Sequence, residues 1–464
     1  MAEKVLNQGI TLVISVVLAR LLAPEDYGSI ALVNVFILIA NVFIQNGIGV
    51  ALIQDKEADE TDFSTDFFIS IILGLLLYLI LFFLAVPIGN FYEDASLIPI
   101  VRVLGLRLPL ASIYTIQYAI VSRRMQFKKL FAPTLAASAI SGTTGIVMAY
   151  LGFGVWALVA QTLLIQIFLN IFLFVALRWR PGFVFRTSKA LQHISFSIKV
   201  TLAELLNTLV GQLNTLVIGK VYSSADVAYY NNGTKYPQAI VGIITSAVDS
   251  VMFPAIANNN DSPQMVKQLM RRSVRGISFF IAPMMIGFAL CAEYAVSFFL
   301  TDKWLPSVPY MRIICAIYLL MPMNSVNYQG VKAIGKSALF LKQQIVKSLM
   351  NVSILFLVYR HGMMAIALSA LVGNVGILFI NAYPAHKYIG YTVFEQLKDL
   401  SVAWLYALPF AVVLVLFNYW VHLSIPLMLA ADIAIGAVLY FVTAYLFKSE
   451  ELNFALEKLK KARS

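Results

Sequence analysis

The chain has 464 residues, of which 60% are hydrophobic and only 12% charged, with a net charge of +11. Soluble domains carry roughly 25% charged residues, so this chain has too little polar surface to cover itself in water. A soluble enzyme or binding module is excluded, and the positive balance belongs to loops beside anionic lipid headgroups, not to a nucleic-acid surface.

Apolar runs close to the ~20 residues needed to cross a hydrocarbon core recur along the whole length. They fall at 5–22, 27–53, 64–90, 96–120, 131–151, 153–177, 196–219, 227–255, 274–299, 305–331, 338–359, 362–385, 400–420 and 423–447. The expectation is an all-α polytopic membrane protein of about fourteen spans. The first run carries Asn7 and Gln8 and has no small-residue cleavage site after a short core. It is read as span 1 and not as a removable signal.

Spans 1 and 2 are joined by LARLLAPEDYG, 18–28. Pro24 ends the first helix, and Glu25 and Asp26 suit the positive N-terminal end of the next. Further along, IGKVYSSADVAYY sets Lys220 where Arg20 stood and Asp226 where Asp26 stood, again between two apolar runs. FYEDASLIPIVRV at 91–103 is likewise answered by FFLTDKWLPSVPYMRII at 298–314, Pro99 and Arg102 matching Pro309 and Arg312. Each copy holds six spans, so both enter from the same side, as a parallel repeat does. The expected organisation is an N-lobe at 1–180, a C-lobe at 195–386, two further spans at 398–448 and a tail at 449–464. Arg20, Asp26, Lys220 and Asp226 are either solvated helix caps or an outer gate where the lobes meet.

Lys and Arg near span ends are retained on the cytoplasmic side. With the N-terminus inside, only Arg20, Lys220, Lys303 and Arg360 fall in outer loops, and both termini are cytoplasmic.

Ionisable residues inside spans are costly and point to a pathway or site. The basic ones are Arg102, Arg107, Lys235, Arg312 and Lys347. At 1.5 Å per residue Arg107 lies roughly 16 Å deep, near the midplane, while Arg102, Lys235 and Arg312 lie about 9–12 Å from the outer side. A guanidinium suits a bidentate phosphate contact. Glu204 and Asp249 lie at similar depth in neighbouring antiparallel spans and either share a proton or bind a cation, H⁺ or Na⁺, or stand as separate hydrogen-bonded structural carboxylates. Glu293 and Asp432 are further intramembrane acids. Cys291 and Cys315 read as buried hydrophobes, the four His show no metal-ligand spacing, and DKEADETD at 55–62 reads as a solvated inner loop. No phosphate-binding glycine loop is visible, so no cofactor is expected.

The strings ITLVISVVLARLLAPEDYGSIALVNVF, ALIQDKEADETDFST, YLGFGVWALVAQ and DKWLPSVPYMRI resemble polysaccharide-lipid flippases of the O-antigen, colanic-acid and teichuronic-acid type. These belong to the multidrug/oligosaccharidyl-lipid/polysaccharide exporter superfamily. The chain departs from them at YYNNGTKY, where Asn232 stands at a position commonly Arg and Lys235 follows about one turn later. The resemblance implies a bacterial inner-membrane protein that is not an enzyme. It implies movement of a polyprenyl-pyrophosphate-linked oligosaccharide between leaflets, with membrane lipids and polysaccharide assembly proteins as partners. Arg107, Arg102, Lys235 and Arg312 would then meet the anionic head group, and Glu204 with Asp249 would couple transport to a cation gradient. A multidrug antiporter of the same superfamily predicts an acidic cavity, against which the basic spans count. A polysaccharide polymerase or ligase needs a substantial outer loop, and every outer loop here is shorter than about 12 residues.

Overall fold

The computed structural model describes residues 2–45, 48–55, 58–257, 262–333 and 337–453. Its helices are α1 (Ala2–Leu21), α2 (Pro24–Gln45), α3 (Ile48–Gln54), α4 (Glu60–Tyr92), α5 (Leu97–Leu104), α6 (Arg107–Arg123), α7 (Lys128–Tyr150), α8 (Val155–Leu177), α9 (Thr187–Val221), α10 (Ser224–Ala257), α11 (Pro263–Leu290), α12 (Ala292–Phe299), α13 (Val308–Ala333), α14 (Ser337–Val358), α15 (Met363–Pro384), α16 (Val393–Trp420) and α17 (Ile425–Leu446). Among the described residues, ten segments are long and apolar enough to cross a membrane. With α1, α9, α10 and α14 they occupy the fourteen expected spans.

Among the described residues, two expected spans are broken helices. The run at 96–120 divides into α5 and α6 because Pro109 has no N–H to give the Gly105 carbonyl. The Leu108 N–H takes that carbonyl instead, at 2.9 Å, in a tighter turn. A side chain at Gly105 would meet the Val101 carbonyl at 2.9 Å and the Tyr78 ring at 3.0 Å. Arg107 thus stands at the first turn of α6, in the middle of a span. The run at 274–299 also divides, between α11 and α12 at Cys291, with no proline at the break.

The chain forms two compact units, Met1–Ala228 and Tyr229–Ser464. In the first, α7 packs on α8 and α1, α6 on α4, and α9 on α2, α3 and α4. The repeat numbers α9 with the second lobe; its packing partners here lie in the first unit. A core of Leu52, Phe63, Phe67, Ile116, Ile120 and Trp179 sits at one end of this unit. In the second, α11 is central, against α13 and α16, and α14 packs on α15. Large apolar side chains stay exposed along α4 (Ile72, Leu76, Leu79, Phe83) and α16 (Val412, Leu416). For a chain whose solvent is hydrocarbon, that outward apolar surface is the stable arrangement.

Candidate substrate-binding cleft

Helices α2 and α9 are held together at one end by small residues. A Cβ on Gly219 would lie 2.2 Å from Leu32 Cδ2, and one on Gly28 would lie 1.7 Å from the Ser224 carbonyl oxygen. Tyr92 also donates its hydroxyl to the Leu216 carbonyl at 3.5 Å. Eight residues back along α9, about 12 Å by helix rise, a Cβ on Gly211 would meet nothing within 4 Å. From Gly211 onward, away from Gly219, a cleft of about 340 Å³ opens between the helices. Leu38, Asn41, Val42 and Gln45 line it from α2; Glu204, Asn207, Thr208, Gly211 and Gln212 line it from α9.

The α2 residues follow helical spacing. Asn34, Leu38, Asn41 and Gln45, at steps of four, three and four, lie along one face. Arg107 enters at the Asn34 end of that stripe, its Nη1 donating to Asn34 Oδ1 at 3.4 Å. No carboxylate forms an ion pair with Arg107 among the described residues. Glu204 is exposed to the cleft and accepts from Asn207 Nδ2 at 3.4 Å. Asn41 Oδ1 is buried and, among the described residues, accepts no hydrogen bond. One amide-lined polar system therefore contains both a guanidinium and a carboxylate.

The other candidates stand elsewhere. Arg102 lies across the helix break from Arg107 and stacks on the Phe82 ring at 4.5 Å, with its buried Nε accepted by no group. In the second unit Arg312 pairs with Glu293 at 3.1 Å and donates to the Ala289 carbonyl at 3.1 Å. Lys235 is exposed there, with Nζ 5.6 Å from the Tyr236 ring centre. Lys347 is buried and donates to Asn381 Oδ1 at 3.0 Å, an amide held in turn by Asn324 Oδ1 at 3.1 Å. Asp432 is buried beside Asn418, which donates to it at 3.2 Å. The Asp249 side chain lies outside the described residues.

The two matched turns keep their likeness in three dimensions. Asp26 accepts from the Ala23 N–H at 3.2 Å, and Asp226 from the Ser223 N–H at 3.1 Å. Each carboxylate thus caps the start of its own helix. Arg20 is exposed. Lys220 binds a residue the sequence did not single out, Glu93, at 2.8 Å, and its ammonium holds the Glu93 carboxyl below the usual range.

The acidic stretch after α3, expected as a solvated loop, is instead folded into a network. Arg186 reaches Asp59 at 3.0 Å and buried Asp62 at 3.1 Å, while Trp179 donates to Glu60 at 2.8 Å. Buried His193 sits between Asp66 at 2.8 Å and Asp55 at 3.3 Å. Its only trace in the sequence is that Asp62 and Asp66 lie one turn apart, at the head of an apolar run. The amides of the cleft carry no charge and do not stand out among ionisable residues; the seven-and-four spacing of Asn34, Asn41 and Gln45 was their signal in the sequence. No group of three or more His, Cys, Asp or Glu is placed to hold a metal among the described residues.

Residues 17–309 match the family described as "Polysaccharide biosynthesis protein". The chain belongs to that family. It is similar to the succinoglycan biosynthesis transport protein ExoT of Rhizobium meliloti, 24% identical over 97% of this chain and 92% of that one. It is also similar to the lipopolysaccharide biosynthesis protein WzxC of Escherichia coli, 22% identical over 68% and 65%. In fold it resembles the lipid II flippase MurJ in an inward closed conformation, with a TM-score of 0.75 at 16% identity over 96% of this chain and 98% of that one. An inward-facing multidrug transporter of the MATE family follows, with a TM-score of 0.63 at 16% identity over 82% and 94%.

Proposed function

We propose that this protein is a polysaccharide-lipid flippase of the multidrug/oligosaccharidyl-lipid/polysaccharide exporter superfamily, a transporter and not an enzyme, that carries a polyprenyl-pyrophosphate-linked oligosaccharide from the cytoplasmic to the outer leaflet of the bacterial plasma membrane, by alternating access and driven by a cation gradient. Both termini face the cytoplasm in this reading. The observation that carries it is the α2/α9 cleft with Arg107 at the end of its polar stripe. A hydrated head group cannot cross hydrocarbon bare, and here a chain that is 60% hydrophobic keeps a polar cleft. The guanidinium answers the pyrophosphate with a fork of donors, and the polyprenyl tail stays in lipid against the apolar outer faces. Glu204, with Asp249 as its expected partner, binds H⁺ or Na⁺ with different affinity in the inward- and outward-facing states, which biases their equilibrium.

Following a fluorescent polyprenyl-pyrophosphate oligosaccharide between leaflets of proteoliposomes, with and without imposed pH and Na⁺ gradients, tests this. Arg107→Ala abolishes movement while the protein still inserts, and Arg107→Lys keeps part of it. Normal movement by the alanine variant removes Arg107 from the site, and indifference of the parent to both gradients removes the coupling.

A further inference from the structure

We infer that the α2/α9 cleft reads the sugar part of the substrate and is built for hydroxyl-rich sugars that carry no carboxylate of their own. The inference rests on the cleft being the head-group site. Among the described residues its lining holds no Lys or Arg; four of its side chains are carboxamides, and the one carboxyl is that of Glu204. Each amide presents an acceptor and two donors, the pattern that neighbouring sugar hydroxyls require. Two features ask for donors from the ligand. Asn41 Oδ1 is buried with nothing among the described residues donating to it, and a carboxylate such as Glu204 only accepts. An unmet buried acceptor is unfavourable, and a sugar hydroxyl would relieve it. The open space above Gly211 lets a ring approach the α9 backbone, and Leu38 and Val42 give its C–H face an apolar wall.

Charge is also segregated along the stripe. Arg107 is held at Asn34, and Asn41 lies seven residues farther, about 10 Å along α2 by helix rise. A substrate with its pyrophosphate at Arg107 lays its sugars beside Glu204. Hydroxyls there donate to the carboxylate. A uronate there would set two negative charges close together in a poorly screened cleft, a repulsive element that rejects acidic repeats.

Two fluorescent polyprenyl-pyrophosphate disaccharides that differ only in the second sugar, glucose or glucuronate, test this in proteoliposomes without any gradient. The parent is expected to move the glucose probe about ten- to thirtyfold faster, the discrimination given by unit charges roughly 8–10 Å apart at an effective dielectric near 20. Glu204→Gln is expected to bring the ratio of the two rates close to one. The ratio is read, not the rate, so a general loss of transport in the variant does not imitate the result. Equal movement of both probes by the parent, or faster movement of the glucuronate probe, overturns the sugar reading and leaves the flippase reading standing. An unchanged ratio in Glu204→Gln removes Glu204 from the selection. Movement of neither probe by the parent overturns the reading on which the inference rests, and the inference with it.

Discussion

The two units tie their helices together, at ends that the sequence expects on the cytoplasmic side, by different chemistry. In the second unit Arg271 and Arg275 both grip the fully buried Asp399, at 2.8 and 2.7 Å, with the Tyr391 hydroxyl donating at 2.9 Å. Lys267 adds Glu395 at 2.9 Å. In the first unit Arg186 holds Asp59 and Asp62, but the innermost carboxylate, Asp66, is met by an imidazole. A guanidinium is charged at any physiological pH, whereas histidine changes its charge there. The α11–α16 clamp is therefore permanent, and the α4–α9 clamp is set by pH. The hydrogen bond to Asp66, with the charges of Asp66 and Asp55, outweighs burial and raises His193 above its ordinary value.

The largest effect expected is in the permanent clamp. Asp399→Ala strands two guanidinium groups and loses the Tyr391 contact, and should cost about 2–4 kcal/mol. Thermal unfolding in detergent would show it as a loss that stays constant with pH across the neutral range. A loss that shrinks as pH rises would erase the distinction between the two clamps.

His193→Gln should cost less, about 1–2 kcal/mol, and only at low pH. Because the folded protein raises the histidine above its unfolded value of about 6.5, the stabilisation is complete below that pH. It fades as pH rises through the raised value. Melting curves of parent and variant should thus diverge in mild acid and converge in mild alkali; parallel curves would mean that His193 stays neutral.

Arg186→Ala should matter least, the smallest shift in melting temperature of the three. Its guanidinium is 39% exposed and its partner Asp59 is 48% exposed, so solvent screens much of the attraction. A loss approaching that of Asp399→Ala would show that buried Asp62, 1% exposed, and not the exposed pair, governs the first clamp.

The two clamps were not equally legible. The residues that start α4 form a capping box, Asp59 accepting from the Asp62 N–H at 3.0 Å and Asp62 from the Asp59 N–H at 3.0 Å. That is a local pattern, open to reading from spacing alone. His193 meets Asp66 across 127 residues, and no periodicity registers such a distance. The broken span at Gly105–Leu106 lies between: Pro109 was in plain view, but apolar content continues through the break, and hydropathy does not sense a missing N–H.

By itself the sequence determined the all-α polytopic fold and the rarity of an ionisable residue such as Arg107 within an apolar run. Each is counted along the chain, because the length of an apolar run and the place of a charge are local properties against a bilayer of fixed thickness. Only the tertiary structure decided the partners: Asn34 for Arg107 across 73 residues, Glu93 for Lys220 across 127, and the facing amides of α2 and α9 that turn two apolar helices into a polar cleft. Those pairings follow from which helix faces approach closely, at Gly28 and Gly219, and which stand apart, at Gly211. Close approach is a property of two surfaces together, and it is written in neither strand of sequence alone.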